Sequence, residues 1–194
     1  MAGRGAAAGL ALAAVVLTAG SGCGGGGTTT VTTVRTRTMT TTRTVTKKTH
    51  TTVAAPCTGG QLSGTFALVP GSAGAGHIAY VLTLTNTSQS RCSVSGVPHA
   101  VLVGSDGSSL PTQITEPSGG GKEVVLAPEA SAKAAARFSP DVPSPGDKQT
   151  GACQPKAYTL RVTAKGGGTT DVAIQPPTSV CEQGQLQFEP FSSG

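Results

Sequence analysis

Cysteine is the residue type with the most chemistry to offer in this sequence, and its spacing predicts cross-links rather than catalysis. Four of the five cysteines in the 194-residue chain are spread through its C-terminal part: Cys57, Cys92, Cys153 and Cys181. No two lie at the short spacing of a zinc knuckle or a thiol redox motif. An even number of dispersed cysteines in an exported domain predicts two disulfides, with Cys57–Cys92 and Cys153–Cys181 favoured. Four cysteines allow three pairings, so the sequence leaves the connectivity open.

The fifth cysteine, Cys23, follows an N-terminal segment with the layout of an export signal. Arg4 supplies positive charge, an apolar run extends from Ala6 to Ala19, and small residues lead up to Cys23. The apolar run is too short to cross a bilayer, which takes about 20 apolar residues. Small residues before a cysteine resemble the bacterial lipobox, which predicts residues 1–22 as signal peptide and Cys23 as the lipid-modified first residue of the mature protein. Cleavage by the ordinary signal peptidase, leaving Cys23 as a free thiol, is the alternative.

Histidine offers a second route to site chemistry. His77 and His99 could join a carboxylate in a copper or zinc site. Nothing in their spacing requires this, and isolated polar positions explain both residues. We therefore predict no metal and no cofactor, and keep a metal- or small-ligand site that uses His77 or His99 as the alternative.

Motifs for nucleotide binding and hydrolysis are incomplete. Residues 74–79 match G-x-G-x-x-A, but a predicted strand follows them and no acidic residue appears before Asp106, so a turn is the better interpretation. The chain has neither G-x-S-x-G nor S-x-x-K, the usual patterns around a nucleophilic serine. The scattered carboxylates Asp106, Glu116 and Asp141 are typical of solvated turns. We predict no catalytic residues and no enzymatic activity.

The net charge of +5 is unevenly distributed. Residues 1–52 carry six of the 14 basic side chains and none of the nine acidic ones, so residues 53–194 carry eight against nine and have a net charge of −1. Nucleic-acid binding requires a basic face, often with aromatic platforms, and only 3% of the chain is aromatic. The sequence therefore argues against a nucleic-acid partner.

Composition divides the chain into three parts. Residues 23–55 are rich in glycine and threonine, with 15 threonines among the 25 residues of 28–52. Such a tract buries too little apolar surface to fold, which predicts an extended, disordered stalk on a lipid anchor and leaves O-glycosylation open. With the signal peptide at 1–22, the folded domain is predicted at 56–191.

Alternating apolar and polar residues predict that this domain is all β. The clearest example is residues 77–86, where Ile78, Tyr80, Leu82 and Leu84 alternate with smaller or polar residues. Similar runs separated by Gly, Pro, Ser and Asn predict further strands at 61–69, 99–103, 122–126, 131–139, 157–163, 171–175 and 185–189. Short strands at this spacing are typical of an antiparallel, immunoglobulin-like β-sandwich, here preceded by the disordered Thr-rich stalk.

Several phrases in the domain resemble a known family. They are CTGGQL at 57–62, GAGH at 74–77, LTLTNTS at 82–88, CSVSGVP at 92–98 and VLAP at 125–128. Together they are similar to the actinobacterial exported family catalogued as domain of unknown function 4232. The resemblance implies a secreted protein or lipoprotein with a β-sandwich, and it carries over no functional residue. Glu129 departs from the pattern, because Gly commonly follows the proline there, and this departure concerns a turn.

These observations predict an exported cell-envelope protein, lipid-anchored to the outer face of the cell membrane or secreted, that displays a non-catalytic binding or structural module. The expected partners are the membrane, through the lipid anchor, and another envelope protein or a wall polymer. Loops are where such a module recognises its partner, and residues 105–109 and 139–151 are the candidates.

Overall fold

The computed structural model describes residues 29–33, 41–45, 54–117 and 119–194, which belong to two compact units divided after Thr52. The predicted signal peptide, Cys23 and most of the predicted stalk lie outside the described residues. Within these ranges, no helix is long and apolar enough to cross a membrane.

The described residues of the N-terminal unit, 29–33 and 41–45, form one pair of strands. β1 (Thr29–Thr33) and β2 (Thr41–Val45) run antiparallel, with Thr29 opposite Val45. Extended backbone agrees with the expectation for a tract of β-branched residues. The pairing of the two stretches is a feature that the sequence did not indicate.

The C-terminal unit is built from strands, which confirms the prediction of an all-β domain. Its described residues contain one short 3-10 turn, Gly59–Gln61, and a four-residue turn, Cys181–Gly184, whose two central residues have left-handed backbone angles. The strands are β3 (Leu62–Leu68), β4 (Ile78–Asn86), β5 (Cys92–Ser95), β6 (His99–Val103), β7 (Gln113–Thr115), β8 (Glu123–Leu126), β9 (Ser131–Phe138), β10 (Ala157–Thr163), β11 (Thr169–Thr178), β12 (Gln185–Phe188) and β13 (Ser192–Ser193). Each predicted strand is present, and β5, β7 and β13 are additional.

Most of these strands join one continuous sheet that folds around the core. Its order is β6-β10-β11-β3-β4-β9-β12-β7, with β13 also on β9, while β5 and β8 form a separate pair. Neighbours are antiparallel as predicted, except that β3 pairs with β11 and β7 with β12 in parallel. Both exceptions join strands distant in the chain, where a long connection allows the parallel direction. The arrangement is sandwich-like, with a single shared core.

The pairing of β9 with β4 explains why β9 is rich in alanine. Tyr80, Leu82 and Leu84 of β4 are buried, and each lies opposite a buried alanine of β9. Large side chains on one strand thus pack beside small ones on the next, which fills a layer without overlap. The core centres on Phe66, whose ring lies 5.1 Å from Tyr80 and 5.9 Å from Phe188, centroid to centroid.

Two disulfides cross-link the domain, as its four cysteines predicted. Cys57 is bonded to Cys92, and Cys153 to Cys181, with Cα–Cα distances of 4.8 and 5.5 Å. The first bond ties the chain ahead of β3 to the start of β5. The second joins the segment before β10 to the segment before β12.

Candidate binding groove

An open groove of about 320 Å³ lies at one end of the β6–β10 pair. The two strands are antiparallel, with Val103 at the end of β6 opposite Thr159 near the start of β10. The loop that leaves β6 and the segment that enters β10 therefore meet at the same end of the sheet. These two stretches, residues 104–110 and 155–158, line what we call the 104/158 groove.

The first wall is a hairpin turn with internal hydrogen bonds. The Gly104 N–H donates to the Ser108 carbonyl (2.9 Å), and the Gly107 N–H donates to the Gly104 carbonyl (3.1 Å). Asp106 Oδ1 accepts from the Ser108 hydroxyl (2.7 Å) and the Ser108 N–H (3.0 Å). These two bonds, the hydroxyl first, lower the pKa of Asp106, so its carboxylate is ionised at neutral pH. The turn predicted at Asp106 is present, and it holds the carboxylate in a fixed direction.

The second wall is anchored by the Cys153–Cys181 disulfide and by Gln154. The Gln154 carbonyl accepts a hydrogen bond from the Ser179 hydroxyl (2.9 Å), and the Gln154 side-chain amide donates one to Asp147 Oδ1 (2.7 Å). The chain that leads into this wall is therefore fixed directly before Pro155.

Asp147 is the central hydrogen-bond acceptor of the segment that supports the second wall. Besides Gln154, its carboxylate accepts the backbone N–H groups of Ser144 (2.9 Å), Glu182 (2.6 Å) and Gln183 (2.9 Å). Glu182 and Gln183 both have positive φ angles, 55° and 56°, which turn their N–H groups towards the carboxylate. The Ser144 N–H and the Gln154 amide are the largest causes that hold the pKa of Asp147 far below its usual range.

These hydrogen bonds, which we call the Asp147 clasp, give one residue of the 139–151 loop a structural role. The loop was one of two predicted recognition segments, yet its Asp147 is directed inward, onto the segment that supports the groove. Sequence reasoning gave no role to Asp147, because its partners come from three separate stretches of chain.

Tyr158 is the aromatic group of the groove, and its position depends on a strand irregularity. The other five aromatic residues of the chain, four phenylalanines and Tyr80, are buried, whereas Tyr158 is 43% exposed. Strict alternation would place Tyr158 on the inner face with Leu160 and Val162. The register of β10 against β11 shifts between Ala157 and Thr159, so that Ala157 is buried and Tyr158 is turned outward. No alternation pattern could have predicted this.

A second, much smaller cavity lies beside the Cys57–Cys92 disulfide. It measures about 30 Å³, which is room for about two water molecules. Lys165 Nζ donates to Ser95 Oγ (2.9 Å) in its lining, and His99 lies there too. A serine beside a lysine can serve as an activated nucleophile. We assign the bond to holding the end of β5 against the β10–β11 turn.

The two candidate histidines, His77 and His99, lie on separate elements. His77 closes the turn before β4, where its Nδ1 lies 3.0 Å from the Ala75 carbonyl oxygen, while His99 begins β6. In the described ranges, no group of three His, Cys, Asp or Glu side chains could hold a metal ion.

The comparisons with known proteins concern the whole domain. A family model described as a domain of unknown function, DUF4232, matches residues 57–192, which is more than half of the chain. The chain belongs to the DUF4232 family. Neither the curated proteins nor the solved structures contain a match.

Glu129 occupies a strained backbone position in one turn of this DUF4232 domain. The Ala130 N–H donates to the Ala127 carbonyl (3.0 Å), with Pro128 and Glu129 at the two central positions. Glu129 has a φ of 63°, a conformation that glycine adopts without strain. The turn therefore favours glycine at this position, and Glu129 holds a backbone conformation that costs energy for a residue with a side chain.

Proposed function

We propose that this protein is exported, anchored to the outer face of the cell membrane through Cys23, and displays its DUF4232 domain as a non-catalytic binding module. The observation that carries the proposal is the pair of disulfides. They use all four cysteines of the domain and leave Cys23 as the odd one. Disulfides persist in oxidising compartments outside the cytoplasm, and acylation gives the remaining thiol a use.

A binding role is supported by the construction of the 104/158 groove. Its volume of about 320 Å³ lies in the range of small-ligand sites. Both walls are fixed by hydrogen bonds or a disulfide before any ligand arrives, and such preorganisation lowers the entropic cost of binding. The expected partners are another envelope protein or a wall polymer, with the membrane reached through the anchor.

Anchoring is tested by replacing Cys23 with Ser in the producing cell. We expect the wild-type protein to partition into detergent with the membrane fraction, and the Cys23→Ser protein to appear in the aqueous fraction or the medium. A variant with Cys57 and Cys92 both replaced by Ser is the matched control, because it loses two cysteines and keeps Cys23. Equal partitioning of wild type and Cys23→Ser would contradict the anchor.

Binding is tested with the full chain carrying Cys23→Ser, in oxidised form, against an envelope extract. We expect saturable retention of an envelope component, lost when the disulfides are reduced. If the oxidised protein retains nothing, the binding module is refuted, whatever the result for the anchor.

A further inference from the structure

The 104/158 groove combines an aromatic face, a carboxylate and an ammonium group. We infer that it binds a carbohydrate, with the Tyr158 ring against one face of a pyranose and with Asp106 and Lys156 on its hydroxyl groups. This inference rests on the proposed function, since it names the ligand class of the same module.

Tyr158 supplies the stacking surface. It is exposed in a chain whose five other aromatic side chains are all buried, and a break in strand register presents it to the groove. The face of an aromatic ring carries partial negative charge. It therefore attracts the polarised C–H groups on one face of a pyranose ring. Leu110 and Pro155 extend this apolar surface along the groove.

Asp106 and Lys156 supply the polar contacts. Asp106 Oδ1 is occupied by Ser108, while its Oδ2 accepts no hydrogen bond from the part of the chain that the structure describes. Lys156 is exposed and makes no ion pair with any described residue. One fixed acceptor and one donor beside an aromatic face fit hydroxyl groups, which both donate and accept.

Charge argues against the simpler ionic ligands. A quaternary ammonium ion would stack well on Tyr158 but meets the positive charge of Lys156. A phosphate or carboxylate ligand meets Asp106, which is ionised at neutral pH. A zwitterionic dipeptide satisfies both charges but lacks the flat C–H face that Tyr158 offers. A neutral, hydroxyl-rich ring satisfies all three groups.

The test uses the full chain carrying Cys23→Ser and follows its backbone amides by NMR. The probes are cellotetraose, maltotetraose and N-acetylchitotetraose, with alanyl-alanine and tetramethylammonium as ionic probes, each at up to about 10 mM. We expect at least one oligosaccharide to shift amides in 104–110 and 155–158. Tyr158→Ala should weaken that binding about tenfold, because the stacking surface is lost. Tyr158→Phe, which keeps the ring, should retain it.

Val142→Ala is the matched control, because Val142 is an equally exposed apolar residue outside the groove lining. The amide spectrum of each variant reports whether it is folded. The inference is overturned if none of the oligosaccharides shifts groove amides, if only alanyl-alanine or tetramethylammonium does, or if Tyr158→Ala binds as wild type does. Envelope retention that survives Tyr158→Ala would reject the groove as the site while leaving the proposed binding module standing.

Discussion

Replacing Asn86 provides a quantitative test of how the domain is held together. Asn86 is the last residue of β4, and its side chain is fully buried. Its Nδ2 donates to the carbonyls of Ser90 (2.8 Å) and Leu126 (3.1 Å). Its Oδ1 accepts from the Ser88 N–H (3.0 Å) and hydroxyl (2.7 Å). All four hydrogen-bonding positions of the amide are therefore satisfied. Asn86-Thr87-Ser88 also formally matches the pattern of a glycosylation acceptor, but the Asn86 side chain is buried.

We expect Asn86→Ala to lower the free energy of unfolding by about 2–4 kcal/mol, since each bond contributes about 1 kcal/mol and water can replace part of the loss near Ser88 and Ser90. Asn86→Asp keeps the shape but turns a second oxygen towards two carbonyls. The two carbonyl oxygens repel the ionised form of the new carboxyl. Its folded-state pKa is therefore raised above the usual value of about 3.9. Because the pKa of this carboxyl is raised in the folded state, the Asn86→Asp protein keeps its stability below about pH 4 and loses it, relative to wild type, as the pH rises.

The assay is urea denaturation of wild type, Asn86→Ala and Asn86→Asp at several values from about pH 3 to pH 7. We expect Asn86→Asp to be the least stable at pH 7 and to approach wild type towards pH 3. If the difference between Asn86→Asp and wild type does not change with pH, the amide does not donate to those two carbonyls and the reasoning is wrong.

Three further predictions test other parts of the structure. Asp147→Asn should lower the melting temperature at pH 7. Because the folded-state pKa of Asp147 is lowered, its stabilisation is present above about pH 4 and lost as the pH falls, so the two melting curves should converge in acid; a constant gap would contradict the clasp. Glu129→Gly should raise the free energy of unfolding by about 0.5–1 kcal/mol by removing a positive-φ strain, whereas Glu129→Val should lower it; a destabilised Gly variant would refute the strain. Replacing Cys57 and Cys92 together by Ala should lower the free energy of unfolding by about 3–4 kcal/mol, the value for a 35-residue loop, and unchanged denaturation would show that the bond contributes nothing.

Local pattern was sufficient for much of the fold. β6 and β10 have the bounds predicted for them, and alternation alone predicted the alanine-rich β9 as a strand. The three strands without a prediction are short: β7 and β13 have three and two residues, and β5 contains two serines and a cysteine. Such segments carry no recognisable period, and tertiary pairing decides their conformation.

The sequence predicted one of the three main residues of the candidate site and its support. The turn at Asp106 was predictable because an Asp-Gly sequence favours it. Tyr158 was not, since its exposure comes from a register shift that breaks alternation. Asp147 was not either, because a carboxylate clasp formed by backbone N–H groups from distant segments leaves no trace in side-chain types.

The most direct test of the central claim is mass spectrometry of the unreduced protein purified from the membrane fraction of the producing cell. The proposal predicts an N-terminal peptide that begins at Cys23 and carries a lipid, together with peptides linked through Cys57–Cys92 and Cys153–Cys181. A mature N-terminus with an unmodified Cys23, or peptides with free thiols at the four domain cysteines, would contradict an exported, lipid-anchored and disulfide-bonded module.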